Sequence, residues 1–238
     1  SNISKQSMAD STLCVIPARG GSKRIPRKNI EEFLGKPIIA YSIEVALGSG
    51  LFDEVVVSTD SSEIASVAEE YGAKVPFVRP GACASDTATT AEVLSHALKW
   101  FGECGMDWNY LCCLYPTAPF CSADMLREAF ALLKGESAPA VLPVVEFPYP
   151  ILRSLKINDQ GDIEMNWPEH ELTRSQDLPE AYHDAGQFYW LDAERFVKNP
   201  RLMPEGTKPF LLSRTRVVDI DTPDDWATAE ALYRALYT

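Results

Sequence analysis

Long hydrophobic runs are missing from this sequence of 238 residues. Uninterrupted apolar stretches are only a few residues long, as in Val55 to Val57, far below the roughly 20 residues that a membrane-spanning helix needs. The opening residues SNISKQSMAD are polar and lack the apolar segment of a secretory signal. We therefore expect a protein without a membrane segment, and we set these first residues apart from the fold.

The six cysteines lack the CxxC spacing that is typical of zinc sites and redox pairs. Cys14, Cys112 and Cys113 lie inside apolar runs, where cysteine behaves as a small hydrophobic residue. This pattern indicates a reduced, cytoplasmic protein without a zinc site.

Positive charge is scarce as well, because 22 Lys and Arg residues stand against 34 Asp and Glu residues, a formal net charge of −12. Such a balance argues against general binding of nucleic acid. Five basic residues nevertheless fall within the acid-free residues 19–28: Arg19, Lys23, Arg24, Arg27 and Lys28. The sequence therefore predicts one local anion site in an acidic protein.

Hydrophobic residues make up 46% of the chain, enough for a sizeable core in one α/β domain. Strand-like and helix-like patterns alternate, which predicts a mostly parallel sheet with helices on both faces. The predicted strands are residues 13–17, 54–59, 74–78, 110–114, 141–145 and 185–191, and the predicted helices are residues 37–47, 61–71, 87–101, 123–134 and 222–237.

The alternation breaks after residue 146, where Pro, Asn, Asp and Trp are frequent and no helical period persists. We interpret residues 147–184 as an inserted lobe, and residues 11–146 together with 185–238 as the α/β domain.

The segment VIPARGGSKRIPRKNI, residues 15–30, directly follows the first strand. Open α/β sheets bind ligands at the carboxyl ends of their strands. Gly20 and Gly21 allow the backbone to approach a phosphate group with its N–H groups, Ser22 adds a hydroxyl, and the basic residues offset the charge. A nucleoside triphosphate fits this composition better than a monoanion. The segment contains neither GxGxxG nor GxxxxGK[ST], so the motifs favour neither a dinucleotide fold nor a P-loop.

A second candidate site is DIDTPDDW, residues 219–226. At the end of a strand, Asp219 and Asp221 would point to the same face and could hold Mg²⁺ together with substrate phosphates and water. Asp224 and Asp225 would favour the N-terminus of the closing helix, which Thr222 caps.

A third group combines a cation, amides and aromatic rings, as expected around an acidic, polyhydroxylated sugar. Its members are Arg174, Gln176, Tyr182, His183, Gln187, Phe188 and Tyr189. Side chains alternate along a strand, so Gln187 and Tyr189 share one face, which we assign to the pocket. His183 is a candidate base, but a single histidine in a polar loop is more often a hydrogen-bonded surface residue.

The segment IPARGGSKRIPRKNI resembles the nucleotide-binding motif of the cytidylyltransferases that activate nine-carbon, sialic-type sugar acids as CMP conjugates. The similarity covers nearly the whole chain after Ser11 and continues through SDTATT, LYPTAP, TRSQDLP, AGQFYW and DIDTPDDW. The late motifs YHDAGQFYW and RSQDLPEAYH are most similar to those of members that act on pseudaminic acid.

The resemblance implies a Rossmann-like nucleotidyltransferase fold with a small dimerisation lobe, in a homodimer in which Arg174 reaches toward the partner's pocket. It implies Mg²⁺ on Asp219 and Asp221. The residues expected around CTP are Arg19, Gly20, Ser22, Lys23, Lys28, Asn29, Arg79 and Asp86, and those expected around the sugar acid are Tyr115, Arg174, Gln187 and Tyr189.

Three departures from the sialic-acid-activating relatives concern the sugar side. Those relatives usually carry Gln where Tyr115 stands, Arg where Ser175 stands, and NGAIY in place of AGQFY. The departures favour a differently decorated sugar over N-acetylneuraminate.

The implied reaction is CTP + pseudaminic acid → CMP-pseudaminic acid + diphosphate. Arg19, Lys28 and Asp221 are the candidate catalytic residues, because phosphoryl chemistry depends on positioning and charge neutralisation. The proton acceptor is hydroxide on the metal, Asp219 or Asp221. The alternatives are the same reaction on legionaminic, N-acetylneuraminic or keto-deoxy-octulosonic acid, a CTP-binding module without turnover, and a glycosyltransferase.

Overall fold

The computed structural model describes residues 10–238, so nine of the ten residues set apart above lie outside the described residues. The strands are β1 (Thr12–Pro17), β2 (Glu32–Phe33), β3 (Lys36–Pro37), β4 (Glu54–Ser58), β5 (Tyr110–Leu114), β6 (Ala140–Glu146), β7 (Leu155–Ile157), β8 (Ile163–Met165), β9 (Tyr182–Asp184), β10 (Phe188–Asp192) and β11 (Lys208–Leu211). The helices are α1 (Ile38–Gly48), α2 (Ser62–Glu70), α3 (Gly81–Ala84), α4 (Thr90–Glu103), α5 (Ala123–Gly135), α6 (Ala193–Lys198) and α7 (Pro223–Tyr237).

A seven-stranded mixed sheet has the order β11-β6-β10-β5-β1-β4, with β9 beside β6. Strands β4, β1, β5, β6 and β11 run in one direction, and only β9 and β10 run against them. The prediction of a mostly parallel sheet is therefore confirmed. The reversed direction of β10 was not predicted, because a hydrophobic run reports burial but not direction.

Helices cover both faces of the sheet, as predicted. Cys14 and Ile16 of β1 pack into one cluster with α1, α2 and α5. Leu13 and Val15 point the other way and pack with α4 and α6. Helix α7 closes a third cluster around Phe33.

One predicted strand is wrong, and one observed strand was not predicted. The predicted strand at residues 74–78 is wrong: only a single bridge joins Lys74 to Val56, and Pro76 has no N–H with which to continue a ladder. Strand β11 was missed, because alternate residues of this edge strand are exposed and two of its four residues are Lys208 and Pro209.

The segment interpreted as an inserted lobe contains the β7–β8 hairpin and several 3₁₀ turns. Its last three residues form β9, where Asp184 pairs with Val144 of β6. They therefore belong to the central sheet. Within residues 10–238, no helix is long and apolar enough to cross a membrane.

Candidate active site

A cavity of about 520 Å³ lies at the carboxyl edge of β1 and β5. Pro17 ends β1, Tyr115 follows β5, and both line the cavity. These strands are parallel neighbours, so the loops that leave them meet at one edge of the sheet. Nine of the residues expected in the site line this cavity: Arg19, Ser22, Lys23, Lys28, Asn29, Arg79, Asp86, Tyr115 and Asp221.

Positive charge dominates the cavity although the whole chain is acidic. The charged residues that line it are the cations Arg19, Lys23, Arg24, Lys28 and Arg79 and the carboxylates Asp86 and Asp221. Clefts lined by one sign of charge concentrate ligands of the opposite sign. The cavity therefore suits a ligand with several negative charges.

Arg27 lies outside this lining, unlike its basic neighbours in the loop. Its guanidinium pairs with Glu63 of α2, and its backbone adopts the left-handed conformation, with φ 55°. The fifth cation of the cavity is Arg79 instead, which comes from a different part of the chain.

Arg79 is a nearly buried cation, with 4% of its surface exposed. Its Nε donates to Ser58 Oγ at 3.2 Å, and its Nη2 donates to the Ser58 carbonyl at 2.6 Å. Loss of hydration on burial lowers the pKa of the guanidinium from its ordinary value. The end of β4 thus holds one positive charge rigidly at the cavity.

The loop after β1 is fixed by contacts within itself and with α2. Asn29 Nδ2 donates to the Arg19 carbonyl at 3.0 Å, which closes the loop. The Gly20 N–H donates to Asp60 Oδ1 at 2.8 Å, and a Cβ at Gly20 would lie 3.2 Å from Ser61 Cβ. Gly20 therefore allows close packing on the start of α2. Its N–H is bonded to Asp60, whereas the sequence predicted that this N–H would approach a phosphate.

Asp86 neutralises two of the cavity's cations. Its carboxylate pairs with Arg19 and, at 2.7 Å, with Lys23 Nζ. Hydrogen bonds from Lys23 and Arg19 hold the pKa of Asp86 below its ordinary value. Asp86 therefore stays ionised and compensates part of the positive charge.

Asp219 and Asp221 lie in a segment that precedes α7 and forms no strand, so their expected place at a strand end is wrong. The capping box of α7 fixes Asp221 instead: Asp225 Oδ2 accepts the N–H of Asp221 at 2.9 Å and that of Thr222 at 2.8 Å. Lys28 Nζ lies 3.4 Å from Asp221 Oδ1. The cap thus fixes Asp221, and the pair of Asp221 with Lys28 connects the acidic segment to the basic loop.

The acidic segment suits a hard cation such as Mg²⁺. Loss of hydration raises the pKa of Asp219, and repulsion by Asp221 raises it further, so a cation here would relieve electrostatic strain. Within residues 10–238, no three or more His, Cys, Asp or Glu residues are grouped closely enough to hold a metal by themselves. Magnesium typically takes one or two carboxylates and completes its shell with phosphate oxygens and water.

Gln187 and Tyr189, two of the four residues assigned to the sugar side, lie beside the cavity and not in its lining. Tyr189 packs on the α4 side of the sheet and Phe188 on the other, which confirms the predicted alternation. The Tyr189 ring meets Tyr115 edge to face at 5.6 Å. Gln187, 4% exposed, donates from Nε2 to the Arg216 carbonyl at 2.8 Å, while its buried Oε1 has no partner.

Arg174 and His183 also lie outside the cavity lining. Arg174 is exposed in the inserted segment and pairs through Nε with Asp177 at 2.8 Å. His183 Nδ1 lies 2.9 Å from the Asp184 carbonyl oxygen, and its ring packs on Phe147. The contacts of His183 agree with a hydrogen-bonded surface residue.

Asp184 is a residue of this region that the sequence analysis did not single out. It ends β9, accepts the Tyr189 hydroxyl, and accepts the Gly186 N–H at 2.7 Å. Its available signal was its position directly before AGQFYW.

Comparison with known sequences decides the family. A family profile described as "Cytidylyltransferase" matches residues 13–230, nearly the whole chain. The chain belongs to the cytidylyltransferase family. This cytidylyltransferase is therefore a nucleotidyltransferase, and its cationic cavity lies where the sequence predicted a triphosphate site.

Two individual relatives are similar to this chain over almost its full length. A pseudaminic acid cytidylyltransferase of Campylobacter jejuni is 44% identical over 93% of this chain and 96% of its own. A CMP-N,N'-diacetyllegionaminic acid synthase of Legionella pneumophila is 38% identical over 92% of this chain and 95% of its own.

A solved structure confirms the fold class. It is the CMP:2-keto-3-deoxy-manno-octonic acid synthetase complexed with CTP, with a TM-score of 0.69 over 95% of this chain and 99% of that one. The identity is only 18%, so this likeness concerns the fold of the cytidylyltransferase alone.

Replacing the buried guanidinium tests the anchoring of Arg79. Arg79→Lys is expected to lower the free energy of unfolding by about 2 kcal/mol, because an ammonium cannot reproduce the forked bonds to Ser58. Urea unfolding followed by circular dichroism measures the change. The same substitution at the exposed Arg24 is the control and should stay within about 0.5 kcal/mol; equal losses in both variants would contradict the proposed anchor.

Proposed function

We propose that this cytidylyltransferase activates pseudaminic acid: CTP + pseudaminic acid → CMP-pseudaminic acid + diphosphate. The carrying observation is the cavity with five cations and two carboxylates, in a chain 44% identical to a pseudaminic acid cytidylyltransferase. The triphosphate of CTP carries several negative charges, which this cationic lining can bind.

The triphosphate lies against the basic loop. Arg19, Lys23 and Lys28 contact phosphate oxygens, and Ser22 and Asn29 add hydrogen bonds. Arg79 supplies a fixed charge at the end of β4. Asp86 belongs to the same site through its pairing with Arg19 and Lys23. Gly20 contributes by allowing the loop to pack closely on Ser61.

Asp219 and Asp221 are proposed to hold Mg²⁺. When bound, the ion neutralises charge on the phosphate oxygens that it touches. Asp221 is supported in this role by the cap that fixes its backbone and by the proximity of Lys28.

The anomeric hydroxyl of the sugar acid attacks the α-phosphorus of CTP, its oxygen forms the new P–O bond, and diphosphate leaves with the electrons of the bond that breaks. Arg19 and Lys28 neutralise the charge that develops on the phosphate oxygens, which is the main catalytic effect expected of such a site. Asp221, whose Oδ1 lies 3.4 Å from Lys28 Nζ, and Asp219 are the proposed acceptors of the hydroxyl proton. The sugar acid contacts Tyr115, while Gln187 and Tyr189, buried beside the cavity, support this side of the site from behind.

The same chemistry on legionaminic acid is a second candidate, favoured by the 38% identity to the Legionella pneumophila enzyme. N-acetylneuraminic acid is disfavoured by Tyr115, Ser175 and the AGQFY motif. A panel of CTP and Mg²⁺ with pseudaminic, legionaminic and N-acetylneuraminic acids separates these substrates. Diphosphate release should be fastest with pseudaminic acid, whereas CTP binding without release for any sugar acid would leave only a binding module.

Lys28 and Arg27 form a matched pair for testing the cavity. Lys28→Met keeps the length of the side chain but removes its charge, so kcat/KM should fall by about 10²- to 10³-fold. Arg27→Asn removes a charge from the same loop outside the cavity and keeps a residue that tolerates positive φ. Its kcat/KM, measured by diphosphate release, should stay within a few-fold of the original; equal losses would show that only the overall charge matters.

We propose a homodimer assembled through the inserted segment. Leu155, Ile157 and Ile163 of the β7–β8 hairpin are 58%, 76% and 70% exposed and lie on one face of it. An exposed apolar face of this kind is typical of an interface. Arg174, exposed in the same segment, is proposed to reach the partner's sugar site.

Ile163→Lys should convert the dimer to a monomer, because it places a charge in the proposed apolar interface. Size-exclusion chromatography with light scattering measures the mass, and diphosphate release should fall with dissociation. Glu164→Gln changes the neighbouring residue on the opposite face and should remain dimeric. A fully active monomer of the original protein would overturn the proposal.

The proposed compartment is the cytoplasm. Support comes from the cysteines, all six of which are free thiols, as expected where disulfides are kept reduced.

A further inference from the structure

We propose that Asp60 is a positioning residue for CTP binding, because its carboxylate fixes the peptide unit between Arg19 and Gly20. The inference rests on the triphosphate site proposed above and adds to it a residue that lies outside the cavity lining. Asp60 acts through Arg19, which lines the cavity, and does not touch the nucleotide itself.

The side chain of Asp60 continues the hydrogen-bond ladder that joins β1 to β4. The backbone bonds of this parallel pair extend past the end of β1 to Ala18, whose N–H donates to the Ser58 carbonyl at 2.9 Å. Every second residue of a strand faces the same neighbouring strand, so the next donor is the Gly20 N–H. This N–H donates to Asp60 Oδ1 at 2.8 Å. A side chain therefore binds the loop where the pairing of the two strands ends.

The peptide unit between Arg19 and Gly20 is bonded at both of its polar groups. Its carbonyl oxygen, which belongs to Arg19, accepts Asn29 Nδ2 at 3.0 Å. Its N–H, which belongs to Gly20, donates to Asp60. A planar peptide unit can rotate about the dihedral angles on either side of it, and a glycine limits this rotation little. The two bonds oppose the rotation and so fix the backbone from which the Arg19 side chain extends.

Asp60 is itself fixed by its neighbours at the start of α2. Thr59, directly before it, is buried, and its carbonyl accepts the Arg79 N–H at 2.9 Å. Ser61, directly after it, caps α2 by accepting the Ile64 N–H at 3.3 Å. The carboxylate of Asp60 therefore extends from a backbone that is bonded on both sides, as a positioning residue requires.

The charge of Asp60 has the opposite effect on CTP binding from its hydrogen bond. Burial lowers the pKa of the Arg79 guanidinium, and the Asp60 carboxylate partly opposes this shift, so the two charges attract each other. A negative charge near the cations of the cavity weakens their attraction for a polyanion. The hydrogen bond to Gly20 should therefore favour CTP binding, whereas the charge alone should disfavour it.

Two substitutions separate the hydrogen bond from the charge. Asp60→Ala removes both and releases the peptide unit, so Kd for CTP should rise about 10-fold or more, as is typical when positioning is lost. Asp60→Asn keeps an acceptor, because the Gly20 N–H can only donate and the amide oxygen must face it. Its Kd should rise by no more than about threefold, because the bond is kept and the opposing charge is removed.

Asp53 provides a matched control at the opposite edge of the same two strands. Its Oδ2 accepts the N–H of Thr12, at the start of β1, at 2.8 Å. Asp53→Ala removes the same kind of bond from the same strand, but its Kd for CTP should stay within about threefold of the original. Isothermal titration calorimetry with CTP and Mg²⁺ measures Kd in the absence of any sugar acid.

The original protein and Lys28→Met are titrated first. No CTP binding by the original protein, or equal binding by Lys28→Met, would overturn the proposed triphosphate site and the role of Asp60 with it. Once that site is established, an unchanged Kd in Asp60→Ala would overturn the role of Asp60 alone. Equal rises of Kd in Asp60→Ala and Asp53→Ala, or in Asp60→Ala and Asp60→Asn, would do the same. If Asp60→Ala fails to fold, Asp60→Ser, whose shorter side chain ends before the position of Oδ1, takes its place with the same expected result.

Discussion

The parallel pairing of β1 between β4 and β5 is the constraint on which the site depends. Leu13 of β1 is opposite Glu54 of β4 on one side and Leu111 of β5 on the other. The strand is fully buried from Leu13 to Ile16, so a shift of register would expose apolar side chains and break two hydrogen-bond ladders. With the register fixed, the loops after β1 and β5 and the end of β4 meet at one edge.

The charged groups at this edge differ in how firmly they are held. Arg79 is bonded to the end of β4 through buried contacts, and Asp221 is held by the cap of α7. Arg19 and Lys23 are tied mainly to the exposed carboxylate of Asp86. The site thus combines rigid charges, which define its position, with cations whose partners can be exchanged for a ligand.

Much of this arrangement could be predicted from local sequence patterns. The loop at residues 15–30 follows a strand that its apolar run identifies, and the cap of α7 is formed by Thr222, Pro223 and Asp225, which lie within four residues of sequence. Such features depend on neighbours in sequence. The fold class follows from the alternation of strands and helices for the same reason.

The parts of the site that local sequence patterns do not show depend on partners far along the chain. Gly20 packs on Ser61 and bonds to Asp60, and Arg79, expected in the site only from the family resemblance, is held there by Ser58. Arg27 belongs to the basic run in composition but turns to Glu63. Asp184 accepts the Tyr189 hydroxyl only because β9 and β10 bring the two residues together. None of these pairings leaves a periodic or compositional trace.

The bond between Asp86 and the basic loop has a consequence for selectivity. A bare cluster of cations would retain almost any polyanion that reached it, including nucleic acid and inorganic phosphate. Here an incoming anion has to compete with a carboxylate already seated on Arg19 and Lys23. A ligand with one charged group replaces the Asp86 carboxylate on Arg19 and Lys23 and gains little. A ligand that also engages Lys28 and Arg79 gains contacts that Asp86 does not make. Competition by Asp86 thus favours ligands with several charged groups over ligands with only one.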